Sequence, residues 1–372
     1  MQEEDIKEVI AKTGVISKED SSILKGVAIL LMIMVHTFCF PDRIPEGMPI
    51  LQTLVDSPHF VSLCAFGFSC VSIFLFITGL GLGCSDVRGS TTCFSTIKKH
   101  IKNFYKIYLF SLIIGFLLRY FVPQDFYNAT LTPFTFLKAL TGISLSGVGS
   151  ICLEWWYVSL FVGSVLFIYP FFHCISKIGH KFSAILILVL SLGVYFICTP
   201  KQFYPYVVYT PVFAVGYIIG LNNYKTNWLV RIWMGIQNIN YVWRFLLGIF
   251  IISVSGFLIF EFYKCNDQSI YLPNALVPFP FLVIASLLMF KKLRIVAPML
   301  SYFGKYSGLM WLNHSFFLYY YMRYEIYSLN NIVLILLAIL GLSLITAIIS
   351  NFLIVKIIYL FTSIANRVKR FS

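Results

Sequence analysis

Apolar residues along this chain come in long blocks, separated by short polar segments rich in lysine and arginine. The blocks fall at 23–40, 60–83, 104–122, 155–175, 181–199, 205–221, 243–262, 273–290, 299–321 and 331–362. Most approach or exceed the roughly 20 residues that carry a helix across a bilayer. The pattern predicts an all-α polytopic membrane protein of about ten transmembrane helices. It divides into a cytoplasmic N-terminal tail (1–22), a transmembrane domain (23–362) and a basic cytoplasmic tail (363–372). Two short blocks, 205–221 and 273–290, carry Pro205, Pro211, Pro273, Pro278 and Pro280. Proline is accepted in spans where neighbours satisfy the freed backbone groups. The last block is long enough to tilt or to end along the interface. Within the long connection 123–154, the stretch PFTFLKALTGISLSGVG reads as an amphipathic or re-entrant segment. Residues 1–20 are polar and mixed in charge, and no small-residue cleavage site follows the first block, so that block is expected to stay in the mature chain.

Composition sharpens this picture. With 59% hydrophobic and 12% charged residues, a soluble globular protein is excluded. The net charge of +13 does not indicate nucleic acid, because the basic residues sit in short inter-span loops. All 28 lysines and arginines except Arg43, Arg119, Lys138, Lys201, Lys264 and Arg323 fall on one side when the N-terminus is cytoplasmic. That asymmetry fixes orientation and places both termini in the cytoplasm. The nine cysteines form no C-x-x-C pair and no zinc-spaced cluster, so neither a disulfide framework nor a metal site is expected. Gly79, Gly81 and Gly83 close the second block without a following GK[ST]. They suit close helix packing better than phosphate binding.

Two blocks carry ionisable groups that a bilayer makes costly. In KGVAILLMIMVH, Lys25 and His36 are eleven residues apart. On a helix that is about 16 Å along the axis and about 20° around it. Lys25 is then at the cytoplasmic boundary and His36 in the outer half. The ninth block repeats the arrangement in GKYSGLMWLNHSFF, with Lys305, Ser307 and His314. Either the two histidines line one cavity and do base chemistry, or each is a structural side chain hydrogen-bonded to a neighbour. All fifteen carboxylates map to loops or span ends, with Glu154, before Trp155 and Trp156, closest to membrane depth. The scarcity of buried carboxylates argues against proton-coupled transport and toward a histidine enzyme or an uncoupled carrier. Lys98, Lys99, Lys102 and Lys106 make loop 84–106 basic, either for topology or for an anion.

Taken together, these stretches resemble integral-membrane acyltransferase family 3. The family opens on a basic residue, ten residues and a histidine, as Lys25 and His36 do here. FLFITGLGLG (74–83), EWWYVSLFVGSVLFIYPFF (154–172) and GKYSGLMWLNHSFF (304–317) resemble its later motifs. The resemblance covers roughly residues 20 to 360. It implies ten core helices and transfer of an acyl group, most often acetyl, from cytoplasmic acyl-CoA (acetyl-CoA) to a hydroxyl. The acceptor it implies is a cell-surface polysaccharide or lipid-linked glycan, and the location a cell membrane, the cytoplasmic membrane of a bacterium. His36 matches the essential histidine, with His314 and Ser307 as further catalytic candidates. Lys25 stands where the family has arginine. With Lys98, Lys99, Lys102, Lys106 and Lys305 it would meet the donor phosphates, while Glu154, Trp155 and Trp156 would meet the acceptor. Lysine keeps the charge at position 25 but lacks the bidentate fork of arginine. His36 is then a general base or is itself acylated. The competing reading is a non-enzymatic carrier of a glycan precursor or acyl group. Reporter domains fused at either terminus are expected to report cytoplasm at both; one external terminus breaks the ten-span arrangement.

Overall fold

The computed structural model describes residues 14–48, 51, 53–54, 57–89, 92–121, 133–143, 152–197, 204–224, 228–265 and 278–371. Among these the chain is helical, and a helix stands at each of the ten apolar blocks. They are α1 (Lys18–Phe38), α2 (Ser69–Arg88), α3 (Cys93–Phe121), α4 (Leu153–Ser176), α5 (His180–Ile197) and α6 (Tyr204–Asn222). After α7 (Trp228–Asn238) follow α8 (Tyr241–Cys265), α9 (Pro278–Phe290), α10 (Val296–Ser315) and α11 (Ile332–Phe371). Six segments are long and apolar enough to cross a membrane by length and composition, in α1, α2, α3, α4, α8 and α11. Shorter apolar stretches lie in α5, α6 and α9.

Helix ends depart from the sequence reading for local reasons. α1 begins inside the expected tail because Ser17 and Asp20 form a capping box. The Ser17 backbone donates to Asp20 Oδ2 at 2.9 Å, and the Asp20 backbone donates to Ser17 Oγ at 3.1 Å. The expected loop 84–106 is mostly helix. α2 continues to Arg88, where Gly89 at φ +63° ends it in the left-handed conformation, and α3 begins at Cys93. Asp86, expected in that loop, therefore lies in the last turn of α2 with its side chain 6% exposed. It accepts from Tyr169 at 2.7 Å and Tyr217 at 2.6 Å, and pairs with His173 at 3.0 Å, tying α2 to α4 and α6. The segment between the sixth and seventh apolar blocks contains α7, whose Val230 and Gln237 face inward while Arg231 and Ile232 are exposed. In the long connection expected on the external side, Pro133–Thr141 forms a short helix; 123–132 and 144–151 lie outside the described residues, as do 1–13, 198–199 and 273–277. α11 runs on through the expected tail to Phe371.

Two close helix pairs organise the bundle. α2 meets α6 through Gly79 and Gly83 against Gly216 and Gly220, each set four residues apart. A Cβ on any of them would overlap a carbonyl oxygen of the facing helix. α1 meets α10 through Gly26, which faces the Leu300 carbonyl, and Gly304, which faces the Ser22 carbonyl. Ile23, Ala28, Ile29 and Met32 of α1 are buried, as are Leu300, Met310 and Leu312 of α10. Lys291 pairs with Asp20 at 2.9 Å beside this contact. Replacing Gly304 with valine is expected to destabilise the protein by about 1–3 kcal/mol or more through overpacking. Thermal unfolding in detergent checks it, and an unchanged transition contradicts so close a backbone approach.

Candidate active site

The α1–α10 contact brings His36 and His314 together in the interior. Their ring centroids are 5.0 Å apart at 56°. His314 is fully buried, and its Nδ1 lies 2.6 Å from the Trp311 carbonyl oxygen. A carbonyl only accepts, so Nδ1 carries the hydrogen and the neutral ring keeps its lone pair on Nε2. That Nε2, and Nδ1 of His36, are buried without a hydrogen-bond partner among the described residues. Buried polar atoms usually find partners, so two orphaned imidazole nitrogens on rings 5.0 Å apart are unusual.

Tyrosines fix the C-terminal end of α1, where helix carbonyls have no partner of their own. The Tyr319 hydroxyl donates to the His36 carbonyl and Tyr327 to the Thr37 carbonyl, the latter at 2.8 Å. Tyr319 and Tyr320 come from a π-helical stretch, Phe316–Tyr321, that follows α10 directly. Such stretches re-aim side chains and recur at functional sites. The His36 ring also lies 6.0 Å from Phe40 and 6.4 Å from Tyr319.

Arg43 covers these rings beyond the C-terminal end of α1, its Cζ 4.1 Å from the Phe40 centroid and 4.8 Å from that of Tyr319. It pairs with Glu154 at 2.9 Å, and Tyr320 donates to the other Glu154 oxygen at 3.2 Å. The Arg43 backbone carbonyl accepts from Arg323 Nε at 2.5 Å. Glu154 is thus bound into the outer cover of the histidine pair. Trp155 is buried and donates Nε1 to the Leu312 carbonyl at 3.0 Å, while half-buried Trp156 packs on Tyr209. Ser307 lies two turns, about 10 Å, before His314 on α10. Its hydroxyl donates to the Gly304 carbonyl at 2.9 Å, so the fold does not bring it to the pair.

At the other end of α1 a cavity of about 590 Å³ is lined by Lys18, Lys25, Arg88, Lys99 and His100, with no carboxylate among its described lining residues. Lys25 and Lys99 thus line one cavity. Lys98, Lys102 and Lys106 are exposed on α3 outside the lining, and exposed Lys305 lies over the Tyr306 ring, 5.2 Å from its centroid. Thr78 lines the cavity and is hydrogen-bonded to Tyr157. Tyr157 meets Trp311 edge-on at 5.0 Å, one hydrogen bond from His314.

A family model described as an acyltransferase domain matches residues 20–352. The chain belongs to acyltransferase family 3. Neither the curated proteins nor the solved structures gave a match. The protein is a multi-pass membrane acyltransferase. In this acyltransferase the first and ninth apolar blocks supply a histidine each, and no group of three or more metal-ligating side chains occurs among the described residues. Arg43, Arg88, Tyr157, Trp311, Tyr319 and Tyr320 escaped the sequence reading. The one visible signal was the aromatic run FFLYYY after Asn313-His314-Ser315.

Removing one member of the Arg43–Glu154 pair leaves a largely buried charge alone. Glu154→Ala is expected to cost about 3–5 kcal/mol, while Arg43→Met combined with Glu154→Leu recovers much of it. Thermal unfolding of the two variants checks this, and equal losses would show that the pairing is not the source.

Proposed function

We propose that this acyltransferase is an O-acetyltransferase. It moves an acetyl group from cytoplasmic acetyl-CoA to a hydroxyl of a cell-surface polysaccharide or lipid-linked glycan. It would do so as a ten-span protein of a bacterial cytoplasmic membrane with both termini inside. The observation that carries this reading is the histidine pair at the α1–α10 contact, with its two unpartnered buried nitrogens, together with the cationic cavity at the other end of α1.

The donor is a polyanion that cannot enter lipid. Its phosphates meet Lys25 and Lys99, and its arm runs outward past Thr78 and Tyr157. Lys25 and His36 are about 16 Å apart along α1, a span that an extended pantetheine arm can cover. His36 takes the proton of the attacking hydroxyl, whose oxygen forms the new ester bond to the acyl carbon. The carbon–sulfur bond breaks, and the proton passes to the departing thiolate to give CoA thiol. Because the Nδ1 hydrogen of His314 is held by Trp311, its Nε2 accepts a hydrogen bond, which suits proton handling beside His36 better than oxyanion donation. The Arg43–Glu154 pair, with Trp155 and Trp156 behind it, supports the outer cover over which a polar acceptor approaches.

His36→Ala is expected to lower acetyl-CoA turnover by purified protein in nanodiscs about 10²–10⁴-fold, the usual worth of a general base. Turnover equal to wild type in a well-folded variant overturns the mechanism. Lys25→Arg is expected to keep the donor KM and Lys25→Ala to raise it; equal KM in all three proteins removes Lys25 from the donor site.

A further inference from the structure

Within the cationic cavity, Arg88 and Tyr224 form a unit of their own. The Arg88 guanidinium lies 4.8 Å from the Tyr224 ring centroid and donates to the Tyr224 hydroxyl. A guanidinium laid on an aromatic ring presents a flat cationic face. It can stack on a purine and pair bidentately with a phosphate. Tyr224 follows Asn223, which holds the segment before α1 as a strand partner would. Val15 N donates to the Asn223 carbonyl at 2.8 Å, and Ile16 N donates to Asn223 Oδ1 at 2.9 Å. Asn223 Nδ2 donates to the Ile16 carbonyl at 3.1 Å. Gly14, at φ +78°, makes the turn into this contact, and a Cβ there would overlap the Asn223 side chain. Ile16, Ser17 and Lys18, which continue from this segment, line the cavity with Arg88, Asn223 and Tyr224. Nearby carboxylates are turned away, Asp20 to Lys291 and Asp86 to Tyr169 and Tyr217. The cations of the cavity therefore keep their field for a ligand.

We infer that Arg88 and Tyr224 form a nucleotide subsite that binds the adenosine phosphate end of the donor, with the segment 14–18, pinned by Asn223, as its wall. The inference rests on the proposed use of acyl-CoA. It assigns donor recognition to two residues separate from Lys25, which lies nearer the reactive end. In this arrangement Arg88 and Tyr224 set affinity for the nucleotide and leave the acyl transfer itself untouched.

The test compares acetyl-CoA with S-acetyl-N-acetylcysteamine, a thioester that lacks the nucleotide, in wild type, Arg88→Ala, Tyr224→Leu and Tyr224→Phe. Arg88→Ala and Tyr224→Leu are expected to raise the acetyl-CoA KM about 10- to 100-fold, the worth of a charge-assisted contact, with kcat kept. Tyr224→Phe retains the ring and most of the affinity, and the short donor shows the same KM in all four proteins. A KM rise shared by both donors, or no rise for acetyl-CoA, overturns the subsite. If wild type uses neither donor, the reaction reading fails on its own account, and calorimetric binding of coenzyme A still decides the inference. Binding weakened by Arg88→Ala supports it, and absent or unaltered binding refutes it.

Discussion

The backbone contact between α1 and α10 is the constraint on which the site depends. Gly26 and Gly304 let the two helices approach to carbonyl distance, and only at that spacing do His36 and His314 come to 5.0 Å. In lipid, apolar side chains gain little by leaving one environment for another, so small residues and close packing hold helices together. The same contact carries the buried apolar faces of both helices, with the two imidazoles among them. The tyrosines after α10 then fix the carbonyl end of α1, so the helix that bears His36 is held along its length.

Electrostatics divide the molecule along α1. At its start, Lys18, Lys25, Arg88 and Lys99 face one cavity, and the nearby carboxylates are engaged elsewhere. At its end, the histidines sit under an arginine whose charge is matched by buried Glu154. In the proposed reaction a polyanionic donor is attracted to one end, while proton transfer belongs to the other. Helix α1 spans the distance, and beside it Tyr157 meets Trp311 edge-on at 5.0 Å.

Much of this was legible in the sequence. Length and hydropathy gave the helices, and the eleven-residue spacing put Lys25 and His36 on one face, because helix geometry is local and lipid demands complete backbone pairing. Gly79 and Gly83 announced close packing, but their partners Gly216 and Gly220 did not, since pairing of helices is a tertiary choice. The joining of His36 to His314 was open for the same reason. Lys98, Lys102 and Lys106 looked equivalent to Lys99 in a loop. Once α3 begins at Cys93, Lys98 is turned about 100° from Lys99, while Lys102 and Lys106 lie about one and two turns further along the axis, so Lys99 alone of the four lines the cavity. Arg43 and Asp86 looked like loop charges, and only the fold shows them matched by groups from distant helices.

The central claim is that α1 takes its donor at the Lys25 end and delivers the acyl group to the histidine end. The direct measurement is acetyl-CoA hydrolysis by proteoliposomes of known orientation, with donor supplied to one face at a time. The account predicts His36-dependent turnover when the donor meets the Lys25 face and none above background from the opposite face. Equal turnover from the opposite face, or turnover indifferent to His36, would contradict it.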